Sequence, residues 1–140
     1  MTTWMVVEDE PDFYELVLAI YDTLGVDGLA FTNGEEAISW IEDVDAGQHV
    51  TSVEELPQLA LLDIRLPGYV SGIEVGNRLR QSPVLGNIAI VLMTAYKLSY
   101  KEEQQFISDS GCDLLLHKPL PKLGEFKRIM HEVVAQRMQQ

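Results

Sequence analysis

The sequence predicts an α/β protein with a five-stranded parallel sheet and helices on both faces. Five short apolar runs alternate along the chain with stretches in which apolar residues recur at helical spacing. The runs are apolar throughout, which is typical of strands that are buried on both sides. Parallel strands need crossover connections, and the intervening helices supply them.

The first unit begins with the apolar run from Thr3 to Val7. The helix after it starts near Pro11, since proline is tolerated in a first turn, and stops at Gly25. Apolar residues recur within it at helical spacing: Phe13, Leu16, Val17, Ile20 and Leu24.

The second strand runs from Gly28 to Phe31, and Asn33 with Glu36 predicts a capping box at the start of the second helix. Residues 45–57 lose the periodic pattern, so we predict a surface loop there, with room for one helical turn over residues 52–56. The third strand, Leu59 to Asp63, ends on a carboxylate.

The third helix is predicted to start at a capping box formed by Ser71 and Glu74 and to end near Ser82. The fourth strand runs from Ala89 to Met93 and is followed by Thr94.

Ser99 caps a fourth helix that Gly111 closes, and this helix has the thinnest apolar stripe of the five. The fifth strand runs from Leu114 to Leu116, just before His117 and Lys118. The last helix is predicted to carry on one face the residues Leu123, Phe126, Met130, Val133 and Val134.

The composition restricts the binding partners, the disulfide content and the location that we expect. A formal charge of -12 argues against nucleic acid as a partner, because phosphate binding needs clustered Lys and Arg, whereas it suits divalent cations or a basic partner. The single cysteine, Cys112, excludes an internal disulfide. No stretch resembles a signal peptide or a membrane span, so a cytoplasmic location is expected.

The polar residues of interest follow different strands. Glu8 and Asp9 follow the first strand, Asp63 ends the third, and Thr94 and Lys118 follow the fourth and fifth. The carboxyl ends of parallel strands meet at one edge, where ligands bind in open α/β sheets. Clustered carboxylates favour Mg²⁺, and an aspartate can accept a phosphoryl group as an acyl phosphate.

Four motifs resemble those of the receiver domain of response regulators in two-component signalling: Val6 to Glu10, Leu61 to Gly68, Met93 to Ala95, and His117 to Pro119. The resemblance covers nearly the whole chain. It implies a flavodoxin-like fold with strand order 2-1-3-4-5, and a single receiver domain over residues 1–140 with no output domain.

The resemblance also implies roles for individual residues. Asp63 would be the phosphoacceptor, with Thr94 as switch hydroxyl and Lys118 as the lysine that pairs with the phosphate. Glu8, Asp9, Asp63 and the backbone carbonyl of Arg65 would hold Mg²⁺ or Mn²⁺. A histidine kinase or histidine phosphotransfer protein would donate the phosphate, and self-phosphorylation with slow autodephosphorylation would be the only activities.

The sequence departs from the family pattern at two places, and two further positions bear on the lifetime of the phosphorylated form. The loop between Asp63 and Gly72 is one residue longer than usual, and Leu115 replaces the usual Tyr or Phe three residues before Lys118. Arg65 and Tyr96 occupy positions that tune dephosphorylation in the family, and their bulk predicts slow decay of the acyl phosphate.

Two alternatives remain open. The chain could be a pseudo-receiver, a phosphorylation-independent interaction module, for which Leu115 is the strongest argument. A flavin or nucleotide binder is disfavoured because Glu8, Asp9 and Glu10 would repel a phosphate, and a haloacid-dehalogenase-like phosphatase because Arg65 replaces its second acid. The family places downstream contacts on the fourth helix, fifth strand and fifth helix, in a monomer or weak dimer that binds no membrane.

Overall fold

The computed structural model describes residues 2–48 and 55–139. Strands and helices alternate over these residues: β1 (Thr3–Val7), α1 (Pro11–Thr23), β2 (Asp27–Phe31), α2 (Gly34–Asp45), β3 (Leu59–Asp63), α3 (Gly72–Gln81), β4 (Ala89–Thr94), α4 (Tyr100–Ser110), β5 (Leu114–His117) and α5 (Leu123–Met138). The five strands form one parallel sheet in the order β2-β1-β3-β4-β5. The predicted fold class and the strand order implied by the resemblance are confirmed.

The sheet is buried on both faces at its centre and partly exposed at its edges. Every residue of β3 and β4 is buried, whereas β2 and β5 are only partly covered. This difference explains why the central runs are wholly apolar, since both sides of each central strand contact helices.

Two hydrophobic cores lie on opposite faces of the sheet. On one face, Leu62 and Leu92 pack against α2 and α3 through residues such as Ile41 and Leu79. The other face packs against α1 and α5, with the following buried side chains among its members: Trp4, Leu61, Val91, Val17, Tyr21, Phe126 and Met130. The Tyr21 hydroxyl donates to the Met5 carbonyl at 3.0 Å, which satisfies a phenol that would otherwise be buried without a partner.

Most of the predicted helix ends are found. Ser71 with Glu74 and Ser99 with Glu102 form complete capping boxes, and Gly111 closes α4 in the left-handed conformation. Asn33 caps α2 by accepting a hydrogen bond from the Glu36 backbone. The turn predicted over residues 52–56 lies mostly outside the described residues.

Two residues of the predicted apolar helix faces lie outside the core. Leu16 of α1 is 48% exposed and Leu123 of α5 is 43% exposed. Both side chains line an apolar groove between α1 and the segment after β5. Helical spacing identified the apolar side of each helix, but these two side chains face the groove and stay half exposed.

The fourth helix is held less firmly than the third. Both helices begin with a capping box, yet α3 buries Gly72, Val75, Gly76 and Leu79, whereas only Ser110 of α4 is buried. Phe106 and Ile107 make partial contacts with the core. The thin apolar stripe predicted for α4 is therefore confirmed. No helix within the described ranges is long and apolar enough to cross a membrane.

Candidate functional site

The register of the sheet brings the predicted polar residues to one edge. Asp63 pairs with Met93, and Thr94 pairs with His117, so the ends of β3, β4 and β5 lie side by side. Glu8 and Asp9 follow β1, the other neighbour of β3. A cavity of about 400 Å³ at this edge is lined by residues that include Glu8, Asp9, Asp63, Arg65, Thr94 and Lys118.

Three carboxylates converge in this cavity. One oxygen from each of Glu8, Asp9 and Asp63 lies within 4.8 Å of the others. Glu8 is fully buried and Asp63 is 7% exposed, whereas Asp9 is exposed to solvent. The backbone N–H of Asp9 donates to the Glu8 carboxylate at 3.0 Å and helps to orient it.

Lys118 bridges the two buried acids. Its Nζ lies 2.5 Å from Oε1 of Glu8 and 3.3 Å from Oδ1 of Asp63. The same ammonium lies 4.1 Å from the centre of the Phe13 ring, a cation–π contact that covers its outer side. The lysine is thus held at the mouth of the carboxylate cluster by contacts from three directions.

The electrostatic balance of the cluster is unfavourable to the ionised aspartate. Burial, together with the negative charge of Glu8, raises the pKa of Asp63 to about 7, although the ammonium of Lys118 opposes the rise. Burial alone would lower the pKa of Lys118, but its contacts with Glu8 and Asp63 outweigh that effect and raise it.

This donor set fits a hard divalent cation. Three carboxylates face one ammonium, so the cluster keeps surplus negative charge, and carboxylate oxygens are the ligands that Mg²⁺ prefers. Asp9 is exposed at the opening, where a cation could also keep several water ligands. The acidic cavity is compatible with Mg²⁺ binding on these grounds.

Thr94 is buried beside the cluster, at 2% exposure. Its hydroxyl oxygen accepts a hydrogen bond from the backbone N–H of Tyr96 at 3.1 Å. Among the described residues its O–H group has no acceptor, so its hydrogen can be donated to an anion in the cavity.

Arg65 and Tyr96 form one wall of the cavity. The guanidinium carbon of Arg65 lies 3.9 Å from the centre of the Tyr96 ring, which is a stacked cation–π contact. Tyr96 is 49% exposed and Tyr100 is 78% exposed, so neither ring serves to cover the sheet.

The loop after Asp63 is anchored by contacts that the sequence did not reveal. Glu35, in the first turn of α2, accepts a hydrogen bond from the backbone of Tyr69 at 3.0 Å. Gly68 has a φ of 83°, a conformation that suits glycine. A Cβ at Gly72 would lie 2.0 Å from the Asp63 carbonyl oxygen, so only glycine allows α3 to start this close to the cluster.

Other groups singled out by the sequence stand apart from the cluster. His117 lies 3.2 Å from Glu103 of α4, and Cys112 is a buried free cysteine. Both fit structural roles. The sequence did not reveal that Phe13, Glu35 and Gly72 contribute to the site, because each acts through a neighbour that is distant in sequence.

Comparisons with known proteins agree with this geometry. Residues 4–130 match the sequence profile of the response regulator receiver domain. The chain is 30% identical over 116 residues to the polar-differentiation response regulator DivK of Brucella anthropi, with 83% of each chain covered.

Solved structures show the same fold. A CheY-like receiver domain protein from Methanospirillum hungatei superposes with a TM-score of 0.79 at 19% identity, covering 99% of this chain and 98% of that one. The response regulator TrrA of Thermotoga maritima, solved in complex with Mg²⁺ and BeF, gives a TM-score of 0.72 at 26% identity and covers 95% and 99%. A receiver domain of a Pseudomonas aeruginosa sensor histidine kinase, solved with magnesium in its active-site cleft, gives 0.75 at 22% and covers 96% and 98%.

Proposed function

The chain belongs to the response regulator receiver domain family of two-component signalling, and on that premise we propose that Asp63 is its phosphoacceptor. A histidine kinase or a histidine phosphotransfer protein would donate the phosphoryl group. Phosphorylation of Asp63 would then switch the contacts that the domain makes with other proteins. The observation that supports this proposal best is the position of Lys118. Its ammonium lies between the carboxylates of Glu8 and Asp63, and Asp63 ends the buried strand β3.

The reaction would be an in-line transfer to a carboxylate oxygen of Asp63. The new bond joins this oxygen to phosphorus, while the bond between phosphorus and the donor's imidazole nitrogen breaks and leaves its electron pair on nitrogen. Lys118 would pair with one phosphoryl oxygen, and the Thr94 hydroxyl would donate to a second.

Glu8, Asp9, Asp63 and the backbone carbonyl of Arg65 would hold Mg²⁺ or Mn²⁺. When bound, such a cation would neutralise charge on the transferred group. The protein chain itself positions the reacting groups. Burial of Glu8 fixes the position of Lys118, and the close packing at Gly72 fixes Asp63 at the start of the loop.

Incubation with phosphoramidate or acetyl phosphate and Mg²⁺, followed by mass spectrometry, tests the proposal. We expect one added phosphoryl group, mapped to Asp63, and none when EDTA removes the cation. Asp63→Asn should abolish the addition, whereas Asp12→Asn, a matched change of an exposed acid, should leave it intact. Absence of any Mg²⁺-dependent addition to the folded protein would contradict the proposal.

A second candidate is a pseudo-receiver that works without phosphorylation. Leu115 favours it, because this side chain packs partly buried against the core and offers no ring that could move with Thr94. The mass measurement separates the two candidates, since a pseudo-receiver would gain no phosphoryl group.

The proposed downstream surface is the face formed by α4, β5 and α5. The small buried area of α4 supports this choice, since a weakly held helix is easier to shift. We propose a monomer or weak dimer that acts in the cytoplasm as a single receiver domain. Gel filtration before and after phosphorylation would test the oligomeric state.

A further inference from the structure

Charged residues are distributed unevenly in this molecule. Residues 1–64 contain fifteen Asp and Glu and no Lys or Arg, whereas residues 65–140 contain seven Asp and Glu and all ten Lys and Arg. The strand order places β1 and β2 on one side of β3, with α1 packed against both of them and α2 against β2. The acidic part of the sequence therefore forms one side of the molecule, which we call the acidic side (α1, β2 and α2).

Cations from the rest of the chain leave much of this charge unneutralised. Lys118 reaches Glu8, and Arg78 reaches Asp45. Six exposed acids of the acidic side form no ion pair with any described residue: Asp12, Glu15, Asp22, Asp27, Glu36 and Glu42. On α5, in contrast, the exposed Glu132 pairs with Arg128 at 3.1 Å.

Helix dipoles do not explain the pattern. Acids in a first turn, such as Asp12 and Glu36, complement the positive end of a helix. Asp22 and Glu42, however, lie toward the opposite ends of α1 and α2, where a dipole favours cations, and neither helix has a basic residue in its last turn. If the negative charge served solubility alone, we would expect it along the whole chain, but residues 65–140 are slightly basic.

The acidic side adjoins the phosphoacceptor cavity. Because α1 and α2 begin just after the carboxyl ends of β1 and β2, Asp12, Glu15 and Glu36 stand at the same edge of the sheet as Asp63. Leu16, half exposed on α1, lines the neighbouring groove together with Lys118. A phosphodonor that approaches Asp63 from this side must pass through a strongly negative field.

We propose that the acidic side selects the phosphodonor by charge: it favours a protein whose phosphohistidine is surrounded by Lys and Arg. The proposal rests on the phosphoacceptor function of Asp63. Opposite charges on two surfaces raise association rates by about 10- to 1000-fold at low ionic strength, whereas like charges oppose encounter. Acidic phosphodonors, by the same argument, are poor substrates.

Two synthetic histidine peptides that differ only in their flanking residues test this selection. One carries lysines on both sides of the histidine and the other carries glutamates, and both are phosphorylated with phosphoramidate and then purified. We expect transfer to Asp63 from the lysine peptide to be at least about tenfold faster at low salt. The advantage should fall to less than about threefold in 1 M salt, where the Debye length is about 3 Å.

Paired variants assign the effect to this side of the molecule. Asp12→Asn with Glu15→Gln should reduce the preference for the lysine peptide by about threefold or more. Asp109→Asn with Glu132→Gln, two exposed acids of α4 and α5 away from the start of either helix, changes the net charge equally and should leave the preference within about 30% of its original value. Thermal unfolding of both double variants confirms that each is folded.

The outcomes separate this proposal from the function on which it rests. If phosphoramidate and Mg²⁺ phosphorylate Asp63 but both peptides transfer equally, the charge selection is wrong and the phosphoacceptor function stands. An equal loss of preference in both double variants would show that net charge alone matters and would overturn the assignment to α1. If phosphoramidate itself adds no phosphoryl group, the proposed function fails first.

Discussion

The two ends of the sheet both hold charged side chains, and they satisfy them differently. At the amino ends of β4 and β5, the Arg80 guanidinium donates to the carbonyls of Gly86, Ile88 and Gly111 and to Asp113. Asp113 in turn accepts from the backbone of Ile90 at 2.9 Å. Each charge there has several partners at hydrogen-bond distance.

At the carboxyl ends, three acids share one lysine. Burial raises the pKa of Asp63, and Lys118 is closer to Glu8 than to the proposed phosphoacceptor. The comparison teaches that an ion pair in this fold suits a structural role when its hydrogen bonds are complete. Surplus negative charge beside an opening to solvent instead suits a divalent cation.

The largest expected effect is that of Asp63→Asn, which should change phosphorylation and stability in opposite directions. Asp63→Asn should abolish phosphorylation and also raise the free energy of unfolding of the metal-free protein by about 0.5 to 2 kcal/mol, because it removes a like charge beside Glu8. Urea unfolding in EDTA measures the second effect. A less stable variant would show that the cluster is structural after all.

At the amino ends of the strands, removal of the Arg80 guanidinium should lower the stability of the protein and leave phosphorylation of Asp63 unchanged. Arg80→Met should lower the free energy of unfolding by about 2 kcal/mol, since three carbonyls lose this donor and Asp113 loses one of its donors. The control is Arg128→Met, which breaks an exposed pair and should cost less than about 0.5 kcal/mol. Similar losses in both variants would contradict the comparison.

The pH dependence of stability should differ between the parent protein and Asp63→Asn. A carboxyl whose pKa is raised in the folded state binds more protons there than in the unfolded chain. Its favourable contribution is therefore complete below about pH 4 and is lost as the pH rises toward about 7. In EDTA, the stability gained by Asp63→Asn should grow across this interval, and a gain independent of pH would refute the assignment.

The smallest expected effect concerns the wall of the cavity. Arg65→Ala removes the guanidinium stacked on Tyr96 and should shorten the half-life of phosphorylated Asp63 by about two- to fivefold, because water gains access. The backbone carbonyl at position 65 is unchanged. Lys97→Ala, an exposed charge in the loop that carries Tyr96, is the matched control. Equal half-lives for Arg65→Ala and the parent would remove the shielding role.

Much of the fold could be predicted from the sequence because its signals are local. Apolar runs marked the strands, and Ser71 and Ser99 with their partner glutamates marked two helix starts. The gathering of the polar residues could also be predicted, since residues that follow parallel strands meet at one edge of the sheet. The exposed positions of Leu16 and Leu123 were not predictable, because helical periodicity does not reveal that α1 and the segment after β5 leave a groove between them.

The sequence by itself determined the alternation of elements, the residues gathered at the carboxyl edge and the segregation of acidic charge. Only the tertiary structure decided that Lys118 pairs with Glu8 as well as Asp63, that Phe13 covers this lysine, and that Glu35 anchors the loop after Asp63. The reason is physical: periodicity and capping act over a few residues, whereas these contacts join segments that meet only when both faces of the sheet are packed.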